Sequence, residues 1–290
     1  MRPLRLRLTP EGGESLPGFL IRQAGRARLR SVSELAAMAG LRQPGSTVSD
    51  DDLEPLSTLT KVPVERLEAM AYRAVGKGRH HFPGGVVDRD LIALSPRRAC
   101  PACLADAPFH RMVWDLAPAT ACIPHACRLM TACPGCGRLL GWDHPSVTTC
   151  PCGQPIADTP ITPVTRAEVE AVAALHRLVG STPIPWLHST FAECDRSELV
   201  KMTLLIGMAA TGWTGRCRVV SLVAAGPDAT AAVTVAGVDG LRRWPESLSE
   251  IGQQGIRPPW VWAGATSTAK SLHQMSRAAG LRPKRTPRAI

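Results

Sequence analysis

The chain is poor in several things that would each announce a function. It has one Tyr and four Phe in 290 residues, too few for the stacking surface of a single-strand binder. It has no run of 18 apolar residues, so no membrane-spanning helix is expected. Its start, MRPLRLRLTPEGGESLPGF, is basic but lacks the apolar block of a secretory signal, and a cytoplasmic location is expected. There is no G-x4-GK[ST] phosphate loop to hydrolyse ATP and no G-x-S-x-G nucleophile elbow. No H-x-E stands upstream of the cysteines, as a zinc deaminase requires. Nothing in the pattern proposes an active site, and no enzymatic activity is expected.

Cysteine, by contrast, is concentrated. Residues 99–153 hold eight of the ten cysteines, in ACPACLADAP, ACIPHAC, TACPGCGRLL and TCPCG. In a reducing compartment such pairs point to metal rather than to disulfides. Zinc takes about four sulfur or nitrogen ligands, supplied two by two from tight knuckles. Read in order, Cys100, Cys103, Cys122 and His125 make one tetrad, and Cys133, Cys136, Cys150 and Cys152 a second. Both are complete, with no open position for catalysis, so two structural Zn2+ per chain are expected. A redox centre would need one C-x-x-C opening a helix, not four ligand pairs. Gly137 and Gly153 follow the knuckles and permit their turns. Cys127, Cys194 and Cys217 are left over; Cys127 could compete for metal, but buried thiols are the expectation for all three.

The hydrophobic 44% of the chain supports real cores, and the expected fold is mainly α with small zinc-stabilised β elements. The expected layout is an N-terminal helical, helix-turn-helix-like domain at 1–85, a tandem zinc module at 86–158, a helical domain at 159–276 and a basic tail at 277–290. Ser15 caps a first helix; Ser31 and Glu34 form a capping box that Gly40 closes. SDDDLEPLSTLT and VPVERLEAMAYRAVG read as two helices around TKVP, the second running from Pro63 towards Gly76. A groove-reading second helix needs basic or amide side chains; this one offers Glu65, Arg66, Glu68 and Arg73. GKGRHHFPGG reads as a linker with His80 and His81 solvated. Thr165 and Glu168 open a helix that Gly180 ends, and a more apolar helix follows in RSELVKMTLLIGMAATG. Two further helices are expected around Trp244, with Trp186, Trp213, Trp260 and Trp262 in cores.

The net charge of +10 is carried by the two ends: residues 1–30 and 271–290 each hold a net +5, and the stretch between them is balanced. Arg282, Lys284, Arg285 and Arg288 suit a DNA backbone, although a solvated tail reads the same way. Arg2, Arg5 and Arg7 alternate with Leu4, Leu6 and Leu8, a period of two that fits a short strand, mobile when free, added to a partner's sheet edge.

The string CPACL, Trp114-Asp-Leu, Cys122-Ile-Pro-His125, Leu129, Cys133-Pro-Gly-Cys136-Gly and Cys150-Pro-Cys152-Gly resembles the TniQ family, which includes TnsD-type transposon proteins. ESLPGFLIRQA and GLRRWPESLSEI resemble the family's opening and its WP helix, so the likeness touches residues 14–251. The long C-terminal extension of TnsD-like members has no counterpart here, so target recognition is expected from another component. The resemblance implies an adaptor in DNA transposition. It would link a target recogniser, in some systems a CRISPR effector with guide RNA, to an AAA+ ATPase and thereby to the transposase. A homo-oligomer is compatible with this. A zinc-finger regulator that reads DNA alone and a metal-dependent nuclease are the alternatives.

Overall fold

The computed structural model describes residues 3–41, 50–180, 182–192, 194–247 and 250. Helices dominate, with two small antiparallel sheets. The chain divides into two compact units, Met1–Val169 and Glu170–Ile290. Among the described residues no helix is long and apolar enough to cross a membrane.

The first unit opens with α1 (Leu16–Arg26) and α2 (Val32–Met38). Ser15 Oγ accepts the Gly18 amide and Ser31 Oγ the Glu34 amide, satisfying donors that a helix start leaves open. Leu16, Phe19, Leu20, Gln23 and Ala24 are all buried, as their helical spacing predicts. Helix α3 (Asp50–Thr60) buries Leu53, Leu56 and Leu59.

Beyond α3 the structure departs from the sequence reading. The second helix around TKVP, α4, spans only Val64–Glu68. The chain then buries Met70, Ala71 and Tyr72 in succession, which no single helix face can do, and turns into a sheet. Strand β1 (Ala74–Gly76) pairs with β2 (Arg79–Phe82), and β2 with β3 (Gly85–Asp88), all antiparallel. The expected linker is therefore a hairpin. Lys77 and Gly78, both at positive φ, make its turn. His80 and His81 alternate across the sheet: His80 is buried and only His81 is exposed. Burial, then the nearby Arg89 charge, lowers the His80 pKa.

Helix α5 (Pro101–Asp106) and the two-residue strands β4 (Ala121–Cys122) and β5 (Cys127–Arg128) carry the first cysteine segment. The core runs on across this region. Leu16, Phe19 and Leu35 belong to the same hydrophobic cluster as Cys100, Cys103, Trp114, Leu140 and Ile156. Gly18 is needed where α1 crosses the 110 segment, because a Cβ there would stand 2.6 Å from the His110 Cβ.

Helix α6 (Arg166–Val179) starts at Thr165, whose Oγ1 accepts the Glu168 amide. The unit boundary falls within its first turns. The second unit rests on α7 (Arg196–Ala210) and α9 (Pro227–Arg242), with α8 (Val219–Ala224) between them in sequence. Gly207 and Gly237 bring α7 and α9 together backbone to backbone: a Cβ on Gly207 would collide with the Val233 carbonyl. Trp244 is buried, with its ring edge-on to Phe191 at 4.9 Å. Trp186 and Trp213 are only half-buried, against the core role expected of them. Trp260, Trp262 and most of the expected last helix lie outside the described residues.

Candidate metal centre

Each half of the first cluster is placed by local structure. Cys100 caps α5, its Sγ accepting the Cys103 amide, and one helical turn brings Cys103 round to the same side. Across from them the β4–β5 hairpin presents Cys122, and its four-residue loop, with Ala126 at positive φ, turns His125 back. His125 Nδ1 stands 3.6, 3.2 and 3.6 Å from the sulfurs of Cys100, Cys103 and Cys122, and Cys103 Sγ lies 3.5 Å from Cys122 Sγ. These are not disulfide distances, which are near 2.05 Å. Ligands about 2.3 Å from a tetrahedral ion lie about 3.8 Å apart, close to what is found.

The second cluster is made of loops. Cys133 and Cys136 sit in a turn that Gly137 closes at positive φ, donating its amide to the Cys133 carbonyl. Cys150 and Cys152 sit in a second turn closed the same way by Gly153, whose amide bonds the Cys150 carbonyl. Cys133 Sγ is 3.7 Å from Cys152 Sγ, and Cys136 Sγ 3.8 Å from Cys150 Sγ. In each cluster the four ligand atoms lie within 4.8 Å of one another.

The donor sets fit a metal. Hydrogen bonds from Cys103 and then Cys122 drive the Cys100 thiol strongly acidic, whereas the same contacts push Cys103 far up. Thiolates this close repel one another, so several can ionise together only with a cation in the cluster to hold their charge. Among common ions, zinc suits a closed tetrahedron of four sulfurs, or of three sulfurs and one nitrogen. Cys194 and Cys217 are half-buried and in neither cluster.

Sequence reading missed the groups that brace the first cluster. His125 Nε2 is 3.0 Å from Asp106 Oδ2, a carboxylate that orients the ring so that Nδ1 faces the sulfurs. Glu168 Oε1 accepts from both Thr120 Oγ1 and Arg128, at 2.6 Å each, tying the two ends of the hairpin. The Arg98 guanidinium, buried, donates to the carbonyls of Ala93, Leu116, Ala117 and Ala119. Buried Arg97 donates to those of Gly141 and Val147.

A second buried network explains the motif around residue 14. Glu14 pairs with Arg22 at 2.9 Å. Ser15 Oγ is 2.8 Å from His110 Nδ1, His110 Nε2 is 3.6 Å from Asp115 Oδ1, and the Tyr72 hydroxyl donates to Asp115 at 2.5 Å. The order Ser, His, Asp imitates a hydrolase triad. All three are fully buried and Ser15 is already engaged as a helix cap, so no substrate can meet it. Burial, reinforced by Arg97 and Arg98, drives the His110 pKa well down, and burial pushes Asp115 up to about 7.

The expected basic sites are only partly visible. Arg2 and the tail residues Arg282, Lys284, Arg285 and Arg288 lie outside the described residues. Arg5 and Arg7 are exposed. Their segment is neither a strand nor free of the body: Leu4 donates to the Leu59 carbonyl, while the Gln23 amide bonds Leu8 N and Leu6 O. Buried Gln23 thus holds this backbone against the unit. Arg7 joins Lys61 and Arg66 around a groove of about 570 Å3 with no acidic residue in its lining.

In a comparison of the chain with protein-family models, residues 5–129 match TniQ. This part of the chain, less than half of the whole, is similar to a TniQ domain. A search of curated proteins found no match. The TniQ domain implies an association with transposition. Its matched span takes in the first cluster whole and stops at residue 129, short of the second.

Proposed function

We propose that the protein is a non-enzymatic adaptor in DNA transposition, joining target-site recognition to an AAA+ ATPase and, through it, to the transposase. The observation that carries this reading is the TniQ domain over residues 5–129, built round a closed cluster of three cysteines and a histidine. A cluster with four protein ligands has no position for substrate, and the Ser15, His110 and Asp115 constellation is sealed inside the unit. A chain of this kind acts through its surfaces. The Arg7, Lys61 and Arg66 groove and the Arg282–Arg288 tail supply sequence-tolerant contacts to DNA phosphates. The recogniser is a partner, of which an RNA-guided CRISPR effector is one kind. Zn2+ is the ion proposed for both clusters, and the cytoplasm the location.

An autonomous DNA-reading regulator is the less favoured reading. Its recognition helix would be α4, which has five residues, and of its charged side chains Glu65 and Glu68 would face phosphates. The test is capture of the AAA+ ATPase encoded beside this gene, with the full chain and with a chain lacking residues 1–10. The adaptor reading expects capture by the full chain. No capture, together with tight sequence-specific DNA binding by the isolated protein, would establish the regulator instead.

A further inference from the structure

The first cluster has a fifth sulfur beside it. Cys127 stands directly opposite Cys122 in the β4–β5 pairing. Cross-strand partners project to the same side of a sheet, so the two sulfurs face the same way. Cys127 Sγ lies 3.4 Å from Cys100 Sγ, a spacing like that between the ligands themselves. It is not among the four atoms that lie mutually within 4.8 Å, which makes it a neighbour and not a simultaneous ligand. The contrast with His125 is one of access. Cys127 is fully buried, whereas the His125 side chain is 25% exposed and lies 3.0 Å from an Asp106 side chain that is 66% exposed.

We infer that Cys127 is a resident reserve ligand, able to take the coordination position of His125 in the first metal centre. The inference rests on the reading that this cluster holds a metal. In the exchange the bond from His125 Nδ1 breaks and one from Cys127 Sγ forms. The Cys127 thiol gives up its proton, which the freed imidazole can accept, so no oxidant or reductant takes part. Only a short movement is asked of Cys127, because β5 already aims it at Cys100. The product is a four-sulfur centre, one negative charge richer than the original, with the half-buried ring of His125 released to solvent. The site thus has an inner ligand set that water does not reach and an outer arm that it does.

The test uses the full chain reconstituted with Co2+, whose visible and near-ultraviolet absorption counts bound thiolates. The second cluster, already all sulfur, is the internal reference. The wild type should hold two Co2+ per chain, one with three sulfurs and one with four. His125→Ala should still hold two, with the spectrum of two four-sulfur sites. Cys127→Ser should leave the wild-type spectrum unchanged, and the double variant should fall to one Co2+. Retention of only one Co2+ by both His125→Ala and the milder His125→Gln would overturn the inference. Two Co2+ with a three-sulfur spectrum in His125→Ala, or two in the double variant, would do so equally. Fewer than two in the wild type would instead remove the metal reading on which it stands.

Discussion

The two metal clusters use the same chemistry and are embedded differently. Three of the first cluster's four ligands are buried, one begins a helix, two come from a hairpin, and a carboxylate holds the fourth. In the second, Cys133 and Cys150 are buried, Cys136 and Cys152 are exposed, and all four sit in glycine-closed turns. Both reach the same core, the first through Cys100, Cys103 and Cys122 and the second only through Cys133 and Cys150, while α2 packs on the loop that joins the second cluster's two turns. Ligand count alone would rank them equal. What differs is how much of the remaining structure depends on each.

That difference can be broken experimentally. Cys103→Ser should have the largest effect. Metal binding worth about 10 kcal/mol or more is comparable with the whole ~5–15 kcal/mol that holds a typical domain folded. Loss of cooperative unfolding by circular dichroism, and faster proteolysis within the unit Met1–Val169, are expected. Chelator titration should next separate the sites: the second metal, with two exposed ligands, should leave before the first, seen as two phases of release. Cys136→Ser should accordingly lose one metal and open 133–155 to hydrogen exchange, with the start of α2 that bonds Asp143, while α5 and the β4–β5 hairpin stay protected.

A smaller effect is expected from Asp115. Its folded pKa, about 7, lies above its ordinary 3.8 because of burial. The group's contribution to stability is therefore fully present below about pH 4 and lost as pH rises through about 7. Metal loading runs the other way, strengthening as pH rises. Asp115→Asn should gain on the wild type by on the order of 2 kcal/mol between pH 5 and 8, measured as urea midpoints of the metal-loaded proteins. Cys194→Ser should have the least effect, within about 1 kcal/mol, with both metals kept.

What was legible in the sequence follows from distance along the chain. Ligand pairs two or three apart, such as Cys133 and Cys136, stand out because one turn brings them together. Helix starts at Ser15, Ser31 and Thr165 were readable for the same reason. The Ser15–His110 and Tyr72–Asp115 contacts join residues 95 and 43 apart, and no local pattern announces them. The hairpin at 74–88 was lost to its own composition: four glycines and a proline in ten residues look like a linker, and an alternation of four residues is too short to outweigh them. At the N-terminus the alternating Leu and Arg suggested an added strand, but nothing local named Gln23 as the group that would bind this backbone. Such a reading finds the half of an interaction that repeats and misses the half that occurs once.

Arg98 has a consequence for how this chain can vary. A planar fork spans four carbonyls drawn from two separate segments, Ala93 and 116–119. Lysine carries the same charge on one tetrahedral nitrogen, without the two separated nitrogens by which the guanidinium bridges Ala93 to the 116–119 segment. At this position the formal charge is incidental, and it is the flat shape of the guanidinium that substitution must preserve. Counting cations to gauge affinity for a polyanion would therefore credit the surface with a charge that serves as interior carpentry.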